Sequence, residues 1–152
     1  MRMFLAPALV FALLAPAATA ADKPDDAVAA DLKAMVGKWK IEKAELGGKD
    51  ILEHLKEVKF EITGPGKYVT QVGELKDVGT FTIDPAKKPK EMDVKPTGGP
   101  NKGQTVKAIY KLDGDTFIVC YDHDADKGSR PTKFETKDGT TLLLITYKRE
   151  KK

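Results

Sequence analysis

Alternation of apolar and polar residues with a period of two is the feature that most constrains this chain. In the segment 57–63, Val58, Phe60 and Ile62 share one phase, and charged residues occupy most of the other. The segment 104–112 repeats the pattern. Because successive side chains of a β-strand point to opposite faces of the sheet, each segment predicts a strand with one buried face.

Turn-forming residues separate the alternating runs. They are Gly64-Pro65-Gly66, Asp84-Pro85, Gly98-Gly99-Pro100, Asp113-Gly114 and Asp138-Gly139. The two Asp-Gly pairs favour tight hairpins, and short strands linked by hairpins form an antiparallel sheet. The sequence predicts about nine strands, near residues 38–46, 57–63, 67–72, 77–83, 90–95, 104–112, 116–121, 132–137 and 141–149.

The first predicted strand changes its buried face partway along. Trp39 and Ile41 share one phase, whereas Ala44 and Leu46 share the other. One extra residue in a strand produces this change, so we predict a bulge near Glu42. A strand that switches faces is typical of a barrel or of two sheets packed at right angles.

A short helix is predicted for residues 26–36, where apolar residues recur at spacings of four and three. Asp25 or Asp26 is expected to accept the free backbone N–H groups at its start. The segments 117–121 and 142–147 are apolar in both phases. We therefore expect them to be central strands or to be covered on the outside by the N-terminal helix.

Residues 1–20 have the pattern of a secretory signal peptide. Arg2 precedes an apolar run over residues 3–14, and the small residues Ala18-Thr19-Ala20 follow it. This run is too short to span a bilayer as a helix. We predict export, to the periplasm or outside the cell, with no membrane span after cleavage.

The rest of the chain is predicted to be a disordered tail at residues 21–25 and a single domain at residues 26–152. The whole chain has a formal net charge of +3. Such a small excess of positive charge gives no broad positive field that would attract a nucleic-acid backbone, so nucleic acid is not an expected partner. Cys120 is the only cysteine and cannot close an intrachain disulfide. We expect a monomer stabilised by packing.

The segment Gly37-Lys38-Trp39, which follows the predicted helix, resembles the Gly-x-Trp opening of lipocalin-type barrels. A wider series of segments extends the resemblance over most of the domain: Leu32–Trp39, Gly79-Thr80-Phe81, Asp84-Pro85, Lys87-Lys88-Pro89-Lys90, Asp93, Pro96-Thr97, Gly98-Gly99-Pro100, Lys102-Gly103, Ile109-Tyr110, Leu112–Thr116, Cys120, Arg130-Pro131-Thr132, Phe134 and Leu143–Glu150. This series resembles a family of uncharacterised, mostly exported lipocalin-like domains known chiefly from planctomycete bacteria. The resemblance implies a small lipocalin-like barrel and brings no established catalytic residue.

We therefore predict a mainly all-β fold: a small antiparallel lipocalin-like β-barrel of about eight to nine strands with a short N-terminal helix. A barrel of this size encloses a space that side chains fill or one small ligand occupies. The aromatic residues expected either to line that space or to pack its core are Trp39, Phe60, Phe81, Tyr110 and Phe117. The leading hypothesis is a non-catalytic protein that holds a small apolar molecule. The alternative is a solidly packed module that binds another envelope protein.

Three aspartates, Asp122, Asp124 and Asp126, alternate as oxygen ligands do in a calcium-binding loop. The helix-loop-helix calcium motif has glycine at its sixth position and glutamate at its twelfth, where this chain has Lys127 and Lys133. We therefore expect a solvated hairpin loop, with these aspartates as weak metal candidates only.

Residues that commonly perform catalysis are sparse. Ser129 is the only serine, and no nucleophile elbow surrounds it. His54, His123 and Cys120 lack the close spacing of zinc ligands, and the alternation around Cys120 indicates a packed thiol. We expect no cofactor and no enzymatic activity, with a carboxylate-based hydrolase or isomerase as the remaining catalytic alternative.

Overall fold

Antiparallel pairing closes eight strands into a barrel in the computed structural model, which describes residues 23–124 and 128–151. Neighbouring barrel strands follow chain order, and the last strand pairs with the first. The elements are α1 (Pro24–Met35), β1 (Gly37–Leu46), β2 (Lys49–Asp50), α2 (Leu52–Leu55), β3 (Lys59–Gly64), β4 (Lys67–Val72), β5 (Leu75–Asp84), β6 (Lys90–Gly98), β7 (Val106–Asp113), β8 (Thr116–Asp122) and β9 (Leu142–Arg149). The short β2 pairs only with the end of β1. The predicted mainly-β barrel with a short N-terminal helix is confirmed.

The predicted bulge in β1 is also confirmed. The register between β1 and β9 shifts between Ile41 and Lys43, which leaves Glu42 as the extra residue. Trp39, Ile41 and Ala44 are consequently all buried in the barrel. The bulge turns the strand so that both of its apolar phases reach the same core.

Helix α1 lies across one end of the barrel, here called the closed end. The Trp39 indole N–H donates to the Met35 carbonyl at 2.9 Å, and both side chains are fully buried. The Arg149 guanidinium stacks over the Trp39 ring at 4.3 Å and donates to the Val36 carbonyl at 2.8 Å. These contacts fix the helix to β1 and β9.

The helix begins earlier than predicted, at Pro24. Proline is favoured at the first helical position for two reasons. Its fixed φ suits the helix, and a backbone N–H at that position would have no acceptor within the helix, so its absence costs nothing. Part of the predicted disordered tail is therefore helical. The predicted capping role of Asp25 or Asp26 is wrong: Lys23 occupies the cap position, no side chain caps the helix, and both aspartates lie in the first turn. The predicted signal peptide lies outside the described residues.

The strand predicted at residues 132–137 is absent from the described part of the chain. Residues 128–137, here called the covering segment, run outside the barrel without joining the sheet. Arg130 donates to the carbonyls of Met92 and Ala108, at 3.1 and 2.7 Å, and to Asp93. The Glu135 carbonyl lies 3.9 Å from Cys120 Sγ on the outer face of β8. The covering segment therefore lies over the outward Cys120, where the sequence left α1 as the possible cover.

Candidate functional site

A cavity of about 200 Å³ lies inside the barrel at the end opposite α1, here called the open end. Exposed residues of the β6–β7 loop and the end of β8 form its rim, including Asn101, Gln104 and His123. Its deeper walls are mainly apolar and come from seven strands, β3 to β9. They comprise Phe60, Ile62, Tyr68, Phe81, Met92, Val94, Val106, Phe117, Val119, Tyr121 and Tyr147.

A series of neighbouring aromatic rings runs from Phe117, in the interior of the barrel, to Tyr68 in the wall of the cavity. Phe117 lies 5.8 Å from Tyr147, and Tyr147 lies 4.8 Å from Phe60, measured between ring centroids. Phe60 in turn lies 6.3 Å from Tyr68. Tilted and offset rings at these separations attract one another, so the wall is a continuous aromatic surface.

One carboxylate, that of Asp77, stands in this wall. Register places Phe60, Thr70 and Asp77 side by side on β3, β4 and β5, and all three line the cavity. The Tyr68 hydroxyl donates to Asp77 Oδ2 at 3.4 Å. Asp77 Oδ1 is buried and has no hydrogen-bond partner among the described residues.

Two glycines make room for this arrangement. Gly79 faces Tyr68 across β4 and β5, and a Cβ added to Gly79 would lie 2.8 Å from the Tyr68 hydroxyl. A Cβ added to Gly99, whose φ is +96°, would lie 2.9 Å from Asp77 Oδ1. Both approaches are shorter than carbon–oxygen contact allows. Glycine at these positions therefore lets the phenol and the carboxylate come together.

The tyrosines around the cavity keep their protons well above neutral pH. Burial raises the pKa of Tyr121 to about 12, and the negative charge of Asp77 contributes to the increase. Burial also raises the pKa of Tyr68, with a further contribution from the charge and hydrogen bond of Asp77. Their hydroxyl groups are hydrogen-bond donors throughout the physiological range.

The structure separates the five predicted aromatic residues into two groups. Phe60, Phe81 and Phe117 line the cavity. Trp39 and Tyr110 are not among its lining residues and are buried toward the closed end. The Tyr110 hydroxyl donates to Asp31 on α1 at 2.8 Å, which ties this ring to the helix.

Sequence analysis missed the polar residues of the cavity, of which Asp77 is the most distinctive. Asp77, Gly79 and Phe81 share the inward phase of β5. A charged residue in the phase of a buried aromatic side chain was the available signal. Tyr121 was detectable in the same way, because it continues the inward phase of Phe117 and Val119 along β8.

The acidic loop has a local structural role in its described part. Asp122 Oδ1 accepts hydrogen bonds from the Asp124 backbone N–H, at 3.1 Å, and from the Thr141 hydroxyl. Asp126 lies outside the described residues. Within residues 23–124 and 128–151, no group of three or more histidine, cysteine or acidic side chains is placed to hold a metal ion.

Cys120 is buried on the outer face of β8, beneath the covering segment, as the prediction of a packed thiol requires. Its Sγ lies 3.9 Å from the Glu135 carbonyl. Burial raises the pKa of the thiol to about 11. Because the thiolate is the reactive species, this cysteine is poorly suited to nucleophilic chemistry at neutral pH.

The helices of the described segments lack the length and apolar character needed to cross a membrane. Comparison of the chain with models of protein families, with curated proteins and with solved structures gives no match.

Proposed function

We propose that this chain is an exported, non-catalytic binding protein that holds one small, mainly apolar molecule in the open end of a lipocalin-like barrel. The cavity of about 200 Å³ carries the proposal. An apolar cavity of about 150 Å³ is large enough for benzene. A ligand with one ring and a short side chain therefore matches the available space.

The contrast between the two ends of the barrel supports a binding role over a solidly packed interaction module. Packing is tight near α1, where Met35, Trp39 and Tyr110 are at most 1% exposed. Toward the open end the barrel encloses the cavity, and its rim is polar. A protein that used only its outer surface would have no need of such a space, and filling it would increase stability.

Paired substitutions on one strand test whether the cavity is the binding site. Thr70 lines the cavity, whereas its neighbour Val69 is not among the lining residues. Thr70→Phe should fill the space and abolish ligand uptake, and Val69→Phe should leave uptake unchanged. Native mass spectrometry of protein recovered from the exported fraction of its host measures the bound mass. Equal loss of that mass in both variants would reject the cavity as the site.

The same experiment tests export. The intact mass of the recovered protein should equal that of a chain cleaved after Ala20. A full-length mass, or recovery in the cytoplasmic fraction alone, would reject the exported role. A bare protein that takes up nothing from a cell extract would favour the interaction module instead.

A further inference from the structure

The carboxylate of Asp77 has unmet hydrogen-bonding capacity. Asp77 Oδ1 is buried without a partner among the described residues. The single bond to Oδ2, from the Tyr68 hydroxyl at 3.4 Å, is long beside the usual 2.7–2.8 Å for two oxygens. Buried carboxylate oxygens nearly always have a partner. Because Asp77 lines the cavity, a ligand that carries a hydrogen-bond donor would lie beside a carboxylate with unmet capacity.

Two other half-buried aspartates, Asp31 on α1 and Asp93 on β6, have the ion pair that this site lacks. Asp31 accepts from Lys90 at 2.7 Å as well as from Tyr110. Asp93 accepts from Arg130 at 2.6 Å. Asp77 has no such ion pair within the described segments, and the described residues that line the cavity include neither lysine nor arginine. A cationic group on the ligand would give Asp77 the ion pair that Asp31 and Asp93 already have.

The aromatic wall suits the same kind of ligand. The faces of aromatic rings attract cations through their quadrupole, most strongly where water is excluded. The rings of Phe60, Tyr68, Tyr121 and Tyr147 line the cavity together with Asp77. The charge of Asp77 acts on both Tyr68 and Tyr121, raising the pKa of each phenol. The negative field therefore extends across the cavity.

We propose that the ligand is a small organic cation, with a ring-sized apolar body against the aromatic wall and a protonated amine that donates to Asp77. This inference rests on the proposed function and specifies its ligand class. A neutral apolar molecule of the same shape leaves the carboxylate unpaired, so the site selects for the amine.

Two probes of equal shape test this selectivity. The probes are 2-phenylethylamine and propylbenzene, in which a methyl group replaces the ammonium group. Titration followed by methyl NMR of Val94, Val106 and Val119, which all line the cavity, measures affinity and location together. The amine should bind about tenfold to a hundredfold more tightly, the usual effect of a hydrogen bond to a charged group.

Substitution of the carboxylate adds a second test. Asp77→Asn should remove the preference for the amine and leave propylbenzene binding unchanged. Asp113→Asn, at an exposed aspartate in the β7–β8 turn, is the control and should keep the preference. If Asp77→Asn does not fold, the ratio of the wild-type affinities for the amine and for propylbenzene tests the proposal by itself.

The outcomes separate this inference from the proposed function. Equal binding of both probes within the cavity would overturn the amine assignment and leave the binding function standing. Loss of amine affinity in Asp113→Asn alone would also overturn it, since binding would then be to the outer surface. Binding of neither probe would overturn the amine assignment and count against the proposed function as well.

Discussion

At the closed end of the barrel, buried polar groups have close partners. Asp31 receives two hydrogen bonds, from Tyr110 at 2.8 Å and Lys90 at 2.7 Å, and the Trp39 N–H donates at 2.9 Å. At the open end, Asp77 receives one bond of 3.4 Å and has an oxygen without a partner among the described residues. The closed end is organised as a core, whereas the open end has a cavity and an incompletely paired carboxylate.

Loss of a large side chain should have the greatest effect at the closed end. Trp39→Ala should lower the free energy of unfolding by about 3–5 kcal/mol, because a cavity replaces a fully buried ring. Phe60→Ala should lower it by less, because Phe60 already borders empty space and is half-buried, and it should alter ligand uptake. Urea unfolding followed by circular dichroism measures both. Equal losses of unfolding free energy in Trp39→Ala and Phe60→Ala would contradict the proposed difference in packing between the two ends.

Loss of charge should lower stability more at Asp31 than at Asp77. Asp31→Ala leaves the buried Tyr110 hydroxyl and the Lys90 ammonium without their acceptor, and should cost about 1–3 kcal/mol. Asp77→Asn removes an incompletely paired carboxylate and should change stability by less than about 1 kcal/mol. Urea unfolding of both variants at pH 7 tests the comparison. A larger loss for Asp77→Asn would show that this carboxylate serves the fold.

Alkaline pH should lower the free energy of unfolding, in part through Tyr121 at the open end. The pKa of Tyr121 is raised to about 12, above the value near 10 in the unfolded chain. Its contribution to stability is therefore complete below pH 10 and is lost as pH rises toward 12, with a slope of up to about 1.4 kcal/mol per pH unit. Tyr121→Phe should reduce the slope of stability against pH in this window. An unchanged slope would contradict the assigned burial.

The strands could be predicted where one face is buried, because alternation then reports the phase directly. The bulge at Glu42 was predictable for the same reason: an extra residue reverses the phase of Ala44 relative to Trp39. The segment 132–137 was wrongly predicted as a strand, because it runs outside the barrel with Phe134 half-buried and does not pair within the sheet. An apolar residue in the sequence indicates a buried side chain. It does not show whether the backbone at that position pairs within a sheet.

The candidate site was predictable only in part. Phase along a strand identified Phe60, Phe81 and Phe117 as inward residues, but it could not distinguish them from Trp39 and Tyr110. That distinction depends on where α1 crosses the barrel and on where the packed side chains leave a cavity, and both arise only in the folded chain. The incomplete pairing of Asp77 likewise depends on its distances to Tyr68 and Gly99.

Xenon binding tests the difference between the ends most directly, because this atom enters apolar cavities without specific polar contacts. Methyl NMR spectra recorded under xenon pressure should show shifts at Val94, Val106 and Val119, which line the open end. Met35 and Ile41 are buried but are not among the lining residues, and their methyl groups should not shift. Shifts confined to the first group would establish an accessible cavity at the open end. No shift at either end would show a filled barrel and contradict the binding function.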